Sequence, residues 1–277
     1  MSVSTGIAVL AAVTALAAAA RSTWSPCGLS MLSTITPLAE ASRGRRFRST
    51  ATWFVVGALV GGATLGAGAA IAAVLIGALD LSGTVLLGLA AAAAALAMAC
   101  DARLGGLRTP GHIRQVNEDW LERYRSWVYG AGFGWQIGVG LATYIMTAAV
   151  YLTVVLAGLT GSPLVALGIG CLFGLARGLA ILLGARITTP TALVAFHRRF
   201  DALGEPVRRA VIVVQGAVAL AAASAALGAG PLLPAAVVVV SLAAAAVVVL
   251  RAAPATAGGA GAGAAQPNGS SAVTPVA

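Results

Sequence analysis

Lysine is absent from all 277 residues, and every one of the 17 basic side chains is arginine. Acidic residues number only eight, charged residues together make up 9%, and aromatics 5%. A soluble domain carries about 25% charged residues. A chain this poor in charge, with 59% apolar side chains, is therefore no ordinary water-soluble fold but an integral membrane protein. The net charge of +9 sits in a few linkers and implies no nucleic-acid partner. Cysteine is scarce as well. Cys27, Cys100 and Cys171 all lie in or at the ends of apolar segments, which excludes a disulfide framework and leaves room for one pair at most. His112 and His197 fall in linkers with no second ligand at metal spacing. No phosphate loop or catalytic triad pattern occurs, so neither a metal nor a cofactor is expected.

What the chain does have is long apolar runs. Windows of about 20 residues, enough to cross a hydrocarbon core of about 30 Å, mark helices at 52–77, 82–100, 131–158, 164–184, 210–228 and 232–250. Segment 6–39 is a seventh, but it is too long for one straight helix and contains Arg21, Ser22, Thr23 and Pro26. Gly6 to Ala20 ends in small residues, as a cleavable leader does. No basic residue precedes it, however, and the segment is expected to stay.

Arginine sets the orientation. The linkers after segments one, three and five carry Arg43 to Arg48, Arg103 to Arg125 and Arg186 to Arg209, whereas the alternate linkers carry no basic residue. Seven spans with the N-terminus outside and the C-terminus in the cytoplasm place every arginine-bearing linker inside, in a multi-pass protein of the bacterial plasma membrane. The organisation expected is a membrane domain over 1–251, made of repeat one (6–100), an inner loop (101–130), repeat two (131–228) and an extra helix (232–250). Within the loop, Ile113, Val116, Trp120, Tyr124 and Trp127 recur at helical spacing, predicting an amphipathic surface helix over 111–128. Residues 252–277 turn to alanine, glycine, proline and serine, which predicts a disordered cytoplasmic tail. Three spans, a basic loop and three more spans make a 3+3 inverted repeat, an arrangement that forms sites near the membrane midplane.

The stretch Trp24-Ser25-Pro26-Cys27-Gly28 breaks the first segment. Proline disfavours helix at the residue before it, so a second helix should begin with Ser25 as N-cap and Pro26 at the first position. Cys27 is then in the first turn, where the helix dipole favours a thiolate. Burial opposes that effect, and the balance depends on water access. Arg177 in segment five and Arg21 at the break are intramembrane cations of the kind that face a cavity or a partner. Gln136, Thr143, Tyr144, Thr147 and Gln215 are polar groups inside spans, a type that commonly bonds neighbouring helices. The glycines Gly57, Gly61, Gly62, Gly66 and Gly68 point to close helix packing in segment two.

Ser25-Pro26-Cys27 followed by Ile35-Thr36-Pro37, the glycine-rich entry Gly130 to Trp135 of segment four and the Gly161-Ser162 turn together resemble the CcdA/DsbD-type membrane thiol-disulfide relays, cytochrome c biogenesis proteins with which the lysine-exporter superfamily is grouped. The resemblance implies one cysteine on each of two broken helices, exchanging electrons through a disulfide. Here Gly140 to Met146 supplies neither proline nor cysteine at the second position. Cys27 is left as a single redox thiol, with Cys171 the nearest substitute partner, and Arg21, Arg177, Pro26, Gln136 and Thr143 line the substrate path. A thiol-disulfide function would engage a thiol-redox protein. A small-molecule or ion exporter is the alternative, acting on a small solute, and a structural or assembly subunit is the third reading. The lipid bilayer is a partner in all three.

Overall fold

The computed structural model describes residues 2–111, 124–228, 230 and 232–252. These form ten α-helices: α1 (Val3–Ser22), α2 (Pro26–Thr34), α3 (Pro37–Ser42), α4 (Phe47–Ala78), α5 (Gly83–Ala102), α6 (Ser126–Val139), α7 (Ala149–Leu159), α8 (Pro163–Leu179), α9 (Pro190–Ala226) and α10 (Leu232–Ala252). No strand occurs among the described residues. Six helices are long and apolar enough to cross a membrane: α1, α4, α5, α8 with its continuation to Gly184, α9 and α10.

Helix starts follow a repeated local rule. Ser25, Thr36 and Thr189 each accept a backbone N–H three residues on, with Pro26, Pro37 and Pro190 opening the helix that follows. The hydroxyl satisfies an orphan donor, and the proline has no N–H to leave unpaired. The expected cap at Ser25 is therefore present, with its Oγ 3.1 Å from the Gly28 nitrogen. The break differs in kind from the one the sequence predicts. Segment one is three helices, and α1 alone has 20 residues, about 30 Å, so it is a full-length span and not half of one. Gly28 lets α2 fold back against the end of α1, because a Cβ there would lie 2.1 Å from the Thr23 carbonyl oxygen.

The central element is α4, which presents small residues on two sides. Gly57 and Gly61 meet the backbone of α6 at Ala131 and Trp135, while Gly62 and Gly66 meet α8 at Gly170 and Leu167. Of the five glycines expected to pack, Gly68 touches nothing. Helix α1 packs on α7, α8 and α9, and α5 packs on α9 and α7. Helix α10 packs chiefly on α9, and among its described side chains only Ala245 is buried.

Two expected segments are redrawn. The span predicted over 131–158 is not continuous: α6 stops at Gly140, whose φ of 72° ends the helix, and irregular chain runs to Ala148 before α7 begins. Of the loop helix predicted over 111–128, residues 112–123 lie outside the described residues, and Ser126 to Val128 instead open α6. The linker after segment five is helical and continuous with the next span, so α9 runs 37 residues with Pro206 inside it. The tail from 253 onward lies outside the described residues.

Candidate functional site

Three charged side chains organise the ends of the interrupted helices. The first is Arg177, 2% exposed on α8. Its Nη1 donates to the Ile137 carbonyl at 2.6 Å and its Nη2 to the Ser22 carbonyl at 3.3 Å. Ile137 and Ser22 lie in the last turns of α6 and α1, where the helix dipoles present negative ends; each carbonyl already accepts the backbone N–H three residues on, from Gly140 and Ser25, and takes the guanidinium as a second donor. One guanidinium thus ties both helix ends, with the Phe173 ring 5.8 Å away over the charge. An arginine at a span centre costs about 2.5–3.5 kcal/mol to insert. Two hydrogen bonds from a charged donor, about 1.5–3 kcal/mol each, offset it. Glycine packing brings α8 close enough to reach. A Cβ at Gly174 would lie 2.3 Å from the Ala58 carbonyl of α4, and one at Gly140 would lie 2.7 Å from the Phe173 ring.

The second is Asp101, at the end of α5. Its Oδ1 accepts from the Ala148 N–H at 2.8 Å and from Thr109 at 3.1 Å, and its Oδ2 accepts from Thr147 and from Gln215 Nε2 at 2.9 Å. The N-cap position of α7 is Ala148, with no side chain to cap it; the Thr147 hydroxyl accepts the Ala149 N–H at 3.1 Å, and the Asp101 carboxylate from another helix takes the Ala148 N–H. Arg208 of α9 donates to the Asp101 carbonyl at 2.9 Å and adds α9 to the cluster.

The third is Glu40 on α3, fully buried. It accepts from the Tyr129 hydroxyl of α6 and the Thr50 hydroxyl of α4, with Arg43 at 3.4 Å. Arg45 stands 5.4 Å over the Tyr129 ring.

The predicted site residues fall around this frame. Cys27 is buried in the first turn of α2. Pro26 beside it is exposed. Cys171 is on α8 six residues before Arg177, about 9 Å along the axis and about 120° around it, so helix geometry gives the two side chains different faces. No disulfide joins Cys27, Cys100 or Cys171 to another of the three. Arg21 lies in the last turn of α1, not in the break, and its Nε is buried without a partner. Thr143 lies in the interruption between α6 and α7, its hydroxyl likewise buried and unpartnered. Gln136 is half-buried on α6. Sequence reasoning missed Glu40, Asp101 and Tyr129, and it named Thr147 only as a polar group within a span. The signal that marks the first two is rarity, since they are two of only eight acids and each abuts an apolar run. Among the described residues, no group of three or more His, Cys, Asp or Glu side chains comes together as a metal site would require.

This architecture defines a class: an α-helical protein whose long apolar helices are compatible with a multi-pass membrane protein, and in which a buried arginine and tertiary carboxylates hold interrupted helices. No protein-family model and no solved structure matches the chain. Curated relatives do. The chain is 30% identical over 235 residues to the methylamine utilization protein MauF of Methylophilus methylotrophus, an alignment covering 82% of this chain and 78% of that protein. It is 34% identical over 190 residues to MauF of Paracoccus denitrificans and 32% over 186 residues to MauF of Paracoccus versutus. The first of these two alignments covers 64% of each chain, and the second covers 63% of this chain and 64% of the relative. The chain belongs to the MauF family.

That membership corrects the resemblance to CcdA/DsbD-type relays and to the lysine-exporter grouping. The short proline and glycine motifs that carried it are features of broken, closely packed membrane helices in general. The thiol-disulfide reading falls with it, and the exporter reading has no support among the relatives.

Proposed function

We propose that this chain serves methylamine utilization from within the bilayer, and that the junction of α1, α2, α6 and α8 around Arg177 is its working centre. The observation that carries the reading is the match across 78% of the Methylophilus methylotrophus MauF protein. The geometry supplies the centre: a nearly inaccessible cation on which the ends of two helices converge. Such an expensive group inside a span marks a functional position by default.

The finer topology belongs to the same proposal. Six apolar helices together with α6 and α7 as one interrupted crossing make seven spans. The arginine-bearing linkers then lie in the cytoplasm and the N-terminus outside, at the plasma membrane of a bacterium. Packing supports an inverted repeat that equates α1 with α6 and α7, α4 with α8, and α5 with α9. Helices α4 and α8 meet through Gly62, Gly66, Gly170 and Gly174 on both sides of one contact, and α5 meets its counterpart α9.

The test is replacement. A Paracoccus denitrificans strain lacking its own MauF protein, expressing this chain, is expected to grow on methylamine, and the Arg177→Leu variant to fail while still inserting in the membrane. Absence of growth on methylamine with the wild-type chain present in membranes, and normal growth on succinate, rejects the proposal.

A further inference from the structure

The first turns of α4 and α6 stand side by side. A Cβ at Gly130 of α6 would lie 3.0 Å from the Thr50 carbonyl oxygen and 3.4 Å from the Trp53 Cβ of α4. The Trp53 and Trp127 rings meet there with centroids 6.0 Å apart, and they remain 43% and 50% exposed. Arg45 donates to the Tyr124 carbonyl at 3.1 Å, which ties the residue before Arg46 to the residue before Arg125.

Charge of one sign collects at this place. Residues 41–54 and 124–131 hold five arginines and no acid. Arg43 pairs with Glu40, and Arg45 also covers the Tyr129 ring. Arg46, Arg48 and Arg125 are exposed, and their side chains make no ion pair or hydrogen bond among the described residues. The excess persists when the whole neighbouring linker is counted, because 40–54 and 111–131 together hold seven arginines and four acids. Exposed tryptophans at the end of an apolar helix mark the level of lipid headgroups. Arg46 precedes Trp53 by seven residues, which puts it about 10 Å nearer the water. A soluble anion would meet the arginines and leave the ring pair without an apolar neighbour. A zwitterionic lipid would cover the rings and bring its own cation to the arginines. A lipid with a net negative headgroup suits both.

We propose that the paired starts of α4 and α6 bind an anionic phospholipid of the bilayer. Its phosphodiester lies against Arg46 and Arg125, Arg48 adds to the attraction, and its upper acyl methylenes rest on the Trp53–Trp127 pair. The site is separate from the Arg177 junction and stands whether or not the role in methylamine utilization does.

The experiment is tryptophan quenching in the full-length protein, reconstituted in phosphatidylcholine vesicles at constant ionic strength. A rising share of dibrominated phosphatidylglycerol is compared with the same share of dibrominated phosphatidylcholine. Phosphatidylglycerol is expected to be preferred by about tenfold or more, and Arg46→Gln and Arg125→Gln each to lower the preference by about fivefold. The double variant Trp53→Phe, Trp127→Phe should lose the excess quenching by phosphatidylglycerol. Arg199→Gln, at an exposed arginine of α9, should leave the preference unchanged. Equal quenching by the two lipids overturns the proposal, as does full retention of the preference in both arginine variants or of the excess quenching in the tryptophan variant. A loss in Arg199→Gln as large as in Arg46→Gln also overturns it, because the attraction is then diffuse. Displacement of the lipid by inorganic phosphate, with chloride as the matched salt, rejects the lipid in favour of a free anion. If Arg46→Gln does not insert, Arg125→Gln decides by the same criterion.

Discussion

At the scale of single residues, the buried charges divide the labour by sign. Arg177 serves carbonyls at two helix C-terminal ends, and Asp101 serves amides at a helix start, each matching the local dipole. Glu40 does neither; it gathers two hydroxyls from neighbouring helices. Replacing it with alanine leaves the Tyr129 and Thr50 hydroxyls buried without acceptors, at about 1–3 kcal/mol for each. Glu40→Ala is therefore expected to lose about 2–6 kcal/mol of stability, read by unfolding in mixed micelles. Because Tyr129 and Glu40 share a bond, the double variant Glu40→Ala, Tyr129→Phe should lose less than the two single losses combined. Simple additivity would show that the bond contributes nothing. Sequence rarity pointed to Arg21 and Arg177, since an arginine amid apolar residues stands out in a linear reading. Glu40 and Asp101 escaped notice because each follows an apolar run at the edge of a linker, where an acid looks solvated. Only the packing of α6 over α3, and of α7 and α9 against α5, encloses them.

At the scale of elements, the glycines of α4 decide how closely its neighbours approach. A Cβ at Gly62 would lie 2.3 Å from the Gly170 carbonyl, a backbone atom with little freedom to move, whereas one at Gly68 would meet nothing. Gly62→Ala is expected to separate α4 from α8 and lower the thermal midpoint in detergent, at a cost of about 1–3 kcal/mol or more. Gly68→Ala should be neutral or raise the midpoint slightly, since alanine is the better helix former. Equal effects at the two positions would contradict the contact. Most spans were legible as apolar runs, to within a few residues at many ends. The interruption at 140–148 was not, although Gly140 and Thr147 stand in the sequence. Hydropathy is blind to a helix break inside an apolar run, and the carboxylate that accepts the Ala148 N–H at the start of α7 comes from 47 residues earlier in the chain. The α1 to α2 break was legible because its causes, Ser25 and Pro26, are local.

At the scale of the whole molecule, the arginine pattern makes a topology that fusions can read. Alkaline phosphatase joined after Asp80 or Gly161 is expected to be active, and joined after Leu107 or Thr188 inactive. Activity at all four positions, or the reverse pattern, would overturn the orientation.

Composition, span placement and the alternation of basic linkers are properties of the chain alone, because partition between water and lipid acts on each segment independently. Helix starts at Ser25-Pro26, Thr36-Pro37 and Thr189-Pro190 are likewise local, fixed by a hydroxyl and a ring within four residues. Function was not legible at this level: short proline and glycine motifs suggested a relay, and relatedness along most of the chain placed it in the MauF family instead. The tertiary structure alone decided which carbonyls meet Arg177 and which backbone and side-chain amides meet Asp101. Those pairings join residues up to 155 positions apart, and in a medium without water to satisfy them they exist only once the helices have packed.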